Sequence, residues 1–316
     1  MRILLIDQAK KSFREQDTGR WHFIPTHLEA RGHKVLHVTR GEWKKFLLHY
    51  HLFKPHIIIT VGPVPGFLVA LCKRMGLISC PLVHDWNDYW TEILGPKHGL
   101  AKIAFLEKYS IENSDFITTP SRYLASKCEA YGKKAHLILH GVELNLGLKP
   151  ANLSGFSVLY IGELSPYKRV DRIIEAVKRL KCELYIIGEP TKELQNIAQE
   201  NENVHFLGRI PHARIGAYIR AADICVIAND QENLKMYEFA AAGKAVLAYK
   251  GRVSYFLTHM QTAYITEDLR EGLVALMRNA TLRRKLGKSI KDLRVYSWKE
   301  IGDKYLELLN KIIKRH

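Results

Sequence analysis

The chain has 316 residues, 47% hydrophobic and 25% charged, proportions that exclude a disordered or low-complexity protein and leave room for two domains. Its formal net charge of +16 calls for an anionic partner, which could be nucleic acid, anionic lipid headgroups or a phosphorylated small molecule. No zinc-finger, RNP or basic-zipper pattern occurs, so nucleic acid is set aside, and five widely spaced cysteines suggest neither a disulfide framework nor a zinc site.

The opening run Arg2 to Ile6 is too short for a signal-peptide core and Asp7 ends it where a strand would end, so a cytoplasmic chain is expected. Short β-branched runs then alternate with segments of helical period, the pattern of parallel sheets covered by helices. The first series has strands expected at Ile3–Ile6, Val35–Val38, His56–Thr60, Pro81–Val83, Phe116–Thr118 and Leu137–Leu139. Within it, Gly41 to Lys54 reads as a basic helix rich in aromatic and leucine residues. That composition suits the membrane interface, and Phe46, Leu47, Tyr50 and Leu52 would serve equally as core. Gly141 to Gly155, with Gly147 and Pro150, reads as the linker. The second series has strands at Val158–Ile161, Leu184–Ile187, Val204–Phe206, Ile224–Ile227, Ala245–Ala248 and Ala263–Ile265. Its first helix carries Val170, Ile173, Ile174 and Val177 on one stripe. Domains are therefore expected at 1–148 and 149–296, with 297–316 a helix returning to the first. Ligands of such folds bind at the carboxyl ends of the strands.

Two loops of the second half carry the chemistry. In Gly162-Glu163-Leu164-Ser165-Pro166-Tyr167-Lys168-Arg169, a strand-end glycine precedes cations at a helix start, where free N–H groups also converge, which is an anion site. Lys168 is the leading phosphate ligand, and the segment alone fits solvated loop cations as well. In the loop from Ala228 into Leu234-Lys235-Met236-Tyr237-Glu238, a short helix begins near Leu234 and stops at Gly243. Glu238, one turn in, could accept hydrogen bonds from two ribose hydroxyls or simply balance the helix dipole.

These two segments, with Asn203 to Arg209 and Ala221-Ala222-Asp223 between them, resemble glycosyltransferase family 4 in its order of motifs. In the first half Phe105-Leu106-Glu107, Asn113-Ser114-Asp115, Thr119-Pro120-Ser121 and Leu139-His140-Gly141-Val142-Glu143 follow the same order, so the resemblance covers nearly the whole chain. It implies an α/β GT-B fold, two Rossmann-like domains with parallel sheets facing a central cleft. It implies a retaining transferase moving a hexose, mannose or similar, from a nucleotide-diphosphate sugar, with no cofactor and no metal. By the same resemblance Lys168 binds the donor diphosphate, Glu238 the ribose, and His84 the donor sugar. Gly162 and Arg169 belong to the phosphate loop, the backbone of Leu234, Lys235 and Met236 to the phosphate and sugar, Gly208 and Arg209 to the base, and Gly19 to the first glycine-rich loop. As a bare residue His84 fits a satisfied strand-end histidine.

Three departures stand against the pattern. Glu163 occupies the place of a basic residue, with Arg169 or Arg172 available to supply the charge. Asp230 stands where the first of two paired glutamates is expected, eight positions before Glu238, with Glu232 nearby. His140 replaces an asparagine. The acceptor expected from the charge and the 41–54 helix is lipid-linked or a glycan, with peripheral docking on an anionic membrane. A non-catalytic partner subunit and a nucleotide-sugar epimerase are the competing readings.

Overall fold

Runs of isoleucine, leucine and valine buried on both faces build two parallel sheets, as expected where helices cover each side. The structure is a computed structural model and describes residues 1–316 other than Asp17, Glu200 and His316. The chain divides into unit 1, Met1–Gly141 with Tyr296–His316, and unit 2, Val142–Val295.

In unit 1 the strands are β1 (Arg2–Asp7), β2 (Lys34–Val38), β3 (Ile57–Val61), β4 (Leu82–Asp85), β5 (Phe116–Thr119) and β6 (Ala135–Leu137). They form one parallel sheet in the order β2-β1-β3-β4-β5-β6. Between them run α1 (Arg20–Ala30), α2 (Phe46–Phe53), α3 (Pro63–Arg74), α4 (Trp90–His98), α5 (Leu100–Glu112) and α6 (Arg122–Glu129). The sixth strand lies two residues earlier than expected, and Leu139 instead ends in a carbonyl that accepts from Arg20 at 3.2 Å.

Two short strands, β7 (Gly141–Val142) and β14 (Tyr296–Ser297), mark the passages between units. The expected first boundary, 148/149, falls inside unit 2. The reason is local: Gly141 packs so tightly on Trp298 that a Cβ would meet its backbone at 2.7 Å, whereas Ala151 already donates to Ala217 at 3.1 Å. The glycine and proline of the linker mark irregular chain.

Unit 2 contains β8 (Ser157–Ile161), β9 (Glu183–Ile187), β10 (Val204–Gly208), β11 (Ile224–Ile227), β12 (Val246–Tyr249) and β13 (Tyr264–Thr266). Its helices are α7 (Val170–Val177), α8 (Lys192–Ala198), α9 (His212–Ala221), α10 (Leu234–Ala241), α11 (Leu269–Arg278) and α12 (Ala280–Lys291). The order β10-β9-β8-β11-β12-β13 is that of a dinucleotide-binding sheet, with its direction reversing between β8 and β11. The stripe Val170, Ile173, Ile174, Val177 is buried in the unit's core beside Leu184, Leu273 and Leu286.

The last helix, α13 (Trp298–Ile313), belongs to unit 1. Ser297 caps it, and the Glu300 carboxylate accepts in return from the Ser297 backbone N–H at 2.8 Å. Its buried face (Trp298, Ile301, Tyr305, Leu309, Ile312) meets α1, where Phe23 stacks on Trp298 at 5.1 Å and Trp21 meets Tyr305 edge-on at 5.9 Å. Among the described residues no helix is long and apolar enough to cross a membrane.

Candidate functional site

Ligands bind open α/β sheets outside the carboxyl ends of the strands at the point where strand order reverses. In unit 2 that point lies between β8 and β11, and a cavity of about 240 Å³ opens there. It is lined by the ends of both strands, by Gly162, Lys168 and Asn229, and by Asn233, Leu234 and Lys235 at the start of α10. It is smaller than the roughly 300–1,000 Å³ of a site that encloses a whole small molecule, so it suits one end of a ligand.

The floor is shaped by close backbone approach. Gly162 donates to the Ile187 carbonyl at 3.0 Å, and Gly188 donates to the Gly208 carbonyl at 3.0 Å. Gly188 has φ +153°, and a Cβ there would lie 2.3 Å from the Gly162 carbonyl oxygen, so only glycine fits. Gly208, at φ +65°, turns the chain out of β10 with open space around it. Arg209 follows on the surface.

The loop expected to bind phosphate runs through a turn of 3-10 helix, Pro166–Lys168, into Arg169 at φ +54°. Lys168 is half-buried, its ammonium 4.6 Å above the Tyr167 ring. The unexpected Glu163 accepts from the Tyr167 hydroxyl at 2.9 Å, and its carbonyl accepts from Tyr160 at 3.0 Å. Of the two arginines expected to supply the charge instead, Arg169 pairs with Asp171 at 3.2 Å and Arg172 stacks over Tyr249 at 3.9 Å.

On the facing loop, Asp230 pairs with Arg252 through both carboxylate oxygens at 3.1 Å, and Glu232 accepts from Tyr237 at 3.0 Å. Asn233 enters α10 in extended conformation with no side-chain cap. Its buried Oδ1 has no hydrogen-bond partner among the described residues. No side chain of Asn233 caps the start of α10, where the Met236 N–H donates to the Asn233 carbonyl at 3.2 Å, and a helix start beside the cavity favours an anion. Met236 is buried. Glu238 is 1% exposed, with Oε2 2.7 Å from the Lys235 ammonium and Oε1 2.9 Å from His212 Nε2. Burial alone would push this carboxyl up, but the Lys235 charge and the hydrogen bonds from His212 and Lys235 hold it below the usual carboxylate range.

In unit 1, Gly19 precedes α1 at φ +97° with nothing near a built Cβ, so its backbone, not space, requires glycine. The neighbouring Asp17 lies outside the described residues. Arg20, buried, holds Asp85 at 2.9 Å and donates to the Ile138 carbonyl at 2.9 Å, while Thr118 donates to Asp85 at 2.7 Å. His84 is a strand-end histidine inside the core: it is 0% exposed, with Nδ1 3.0 Å from the Thr60 hydroxyl and Cε1 pressed against Gly66. The ring presents no accessible atom, and burial pushes its basicity down to about 3. Sequence reasoning missed His212, Gly188, Arg252 and the Arg20–Asp85 pair.

Residues 155–280 match the family model for glycosyl transferases group 1. An uncharacterized glycosyltransferase of Methanocaldococcus jannaschii is 26% identical over 85% of this chain and 81% of its own length. Among solved structures, sucrose-phosphate synthase from Thermosynechococcus elongatus superposes with a TM-score of 0.85 at 17% identity, covering 100% of both chains. HepE of Anabaena, solved in complex with UDP, gives 0.73 at 16% identity over 98% of this chain and 100% of that one. The fold is thus the GT-B fold, two Rossmann-like α/β halves, and the second half matches the glycosyl transferases group 1 domain.

Proposed function

We propose that this chain is a glycosyltransferase whose unit 2 binds a nucleoside-diphosphate sugar at the β8/β11 cavity. The observation that carries the reading is the convergence of Lys168 and the start of α10, which Asn233 does not cap, at the reversal point of a sheet in the group 1 domain. The diphosphate lies against those groups, with Gly208 and Arg209 beside the base and Gly162 beneath the phosphates. Charge develops on the departing diphosphate as the sugar leaves, so cations fixed there stabilise the transition state more than the ground state. The donor sugar is a hexose, mannose or similar, transferred with retention. The basic charge and the composition of residues 41–54 support a lipid-linked or glycan acceptor reached by docking on an anionic membrane face.

A thermal-shift panel of nucleoside diphosphates and their sugars tests the reading without an acceptor, because a ligand of the native state raises its stability by RT ln(1 + [L]/Kd). Selective stabilisation by one nucleotide and its sugar is expected. A charge-assisted hydrogen bond contributes on the order of 1.5–3 kcal/mol, so Lys168→Ala lowers turnover by roughly ten- to a hundredfold. Silence across the panel, or full turnover in Lys168→Ala, sinks the proposal. Binding without turnover points to a non-catalytic subunit, and donor consumption with no acceptor to an epimerase.

A further inference from the structure

We propose that unit 1 binds a free single-chain anionic amphiphile, a fatty carboxylate or an alkyl phosphate, in the hollow between β6 and the C-terminal half of α13. Every wall of this hollow belongs to unit 1, so the proposal is independent of the donor reading.

Three observations carry it. The hollow has a volume of about 310 Å³, at the lower end of the range of small-molecule sites. Its body is apolar: Phe116 and Ile138 line it from the sheet side, Leu308 and Ile312 from α13, and Leu137 is 43% exposed beside them. Its polar lining is cationic, with His136, Lys304, Lys311 and Arg315 against one carboxylate, Glu307, among the described residues. Glu307 is already committed to Lys311 at 2.6 Å, and the Lys304 ammonium rests 3.2 Å above the Tyr296 ring. An acyl chain under an anionic head matches both halves of this lining.

The sequence builds the two halves together. In α13, Lys304, Leu308, Lys311 and Ile312 fall on one side of the helix, with Arg315 just beyond its end, so a single face brings cations and apolar side chains to the same place. The helix dipole accounts for Lys311, in the last turn, but not for Lys304 two turns earlier or for His136 on the strand. Lysines commonly guard edge strands, which accounts for Lys134 beside β6 but calls for no apolar hollow. Burial first, then the charges of Lys134, Arg315 and Lys311, hold His136 below its ordinary range, and no carboxylate acts against them. A surface that enters a bilayer needs several exposed apolar side chains. Leu137 is the one large exposed apolar residue among those that line the hollow, so the ligand arrives as a dissolved monomer.

Equilibrium dialysis of the full chain against labelled octanoate, decanoate and dodecanoate, each below its micelle concentration, tests the proposal, with 1-octanol as the neutral counterpart. Affinity is expected to rise by up to about fourfold per added methylene until the hollow is full. Octanol is expected to bind about tenfold more weakly than octanoate. Reversing two exposed cations, Lys311→Glu with Arg315→Glu, weakens decanoate by about tenfold or more and leaves octanol within about twofold. Reversing Lys288 and Lys291 of α12, an equal change in net charge, leaves decanoate within about twofold. Leu137→Ser, which keeps every charge, weakens octanol and decanoate alike. Failure of all three carboxylates to bind overturns the proposal, as does affinity indifferent to chain length. Equal loss in the α13 and α12 reversals also overturns it, because the effect is then net charge and not a site. Binding to phosphatidylglycerol vesicles with none to the monomers overturns it too, by making this face a bilayer contact.

Discussion

Gly188 shows how one position can govern a site it never touches. Its φ of +153° and the 2.3 Å at which a Cβ would meet the Gly162 carbonyl oxygen leave no room for a methyl group, and Gly162 begins the loop that lines the cavity through Glu163, Tyr167 and Lys168. Overpacking a fitted site typically costs about 1–3 kcal/mol. Gly188→Ala is therefore expected to destabilise unit 2 by that order and to weaken nucleotide affinity, since relief comes most readily by moving the loop. A urea melt followed by far-UV circular dichroism, with a nucleotide titration beside it, checks both, and wild-type values in each would show that the two loops are not coupled. The same residue marks the limit of what could be read in advance. Lys168, Leu234 and Lys235 lie in unbroken strand-loop-helix stretches, so order along the chain led to them. Gly188, Arg252 and His212 take their roles from partners distant in sequence, Gly162, Asp230 and Glu238, and no local pattern encodes such pairings.

Among the elements, the central strands of the two six-stranded sheets were legible because parallel strands buried on both faces are written as continuous apolar runs flanked by turns, whereas the edge strand β6, exposed at two of its three residues, lies two residues from its expected place. The 41–54 segment was less so. It forms a 3-10 turn, Arg40–Lys45, followed by α2, because Trp43 is pinned by donating to the Asp7 carbonyl at 2.9 Å. Phe46 is buried, and Trp43, Leu47, Tyr50 and Phe53 pack on the same cluster. Leu48 and Leu52, one turn apart, stay 56% and 74% exposed beside the exposed Lys44, Lys45 and Lys54. Leu52 thus leaves the core to which its spacing could have assigned it. Burying a leucine in an apolar phase is favourable by roughly 1.5–3 kcal/mol, so replacing both leucines by serine is expected to weaken binding to anionic vesicles by tenfold or more at low salt. Equal binding by the double variant would separate this helix from any membrane role.

Across the whole molecule, acid should act first on unit 1. His37, His84 and His140 are all in that unit, and burial, the leading cause for each, lowers them from 6.5 to about 4, 3 and 3. Unfolding frees them to take up protons below pH 6.5, so the stability of keeping them neutral is full above that pH and drains as pH falls towards 4. Asp7, raised by burial to about 6, works the other way: its contribution is present at low pH and is lost as pH rises through 6. The three histidines outnumber the two unit 1 carboxyls that burial raises, Asp7 and Glu107, so the net is proton uptake on unfolding and a stability that falls as pH drops from about 6 to about 4.5. All five tryptophans also lie in unit 1, so denaturant melts followed by tryptophan fluorescence read that unit alone. A midpoint that holds steady or rises over this range would contradict the assignment. The return of residues 296–316 to unit 1 has a further consequence, in time. During synthesis, the face of α1 that carries Trp21 and Phe23 emerges early, but α13 that covers it is made only after all of unit 2. At about 5–20 residues per second that interval is roughly 8–30 seconds. The half of the molecule translated first is therefore the half completed last, and through that interval its apolar face is open to chaperones.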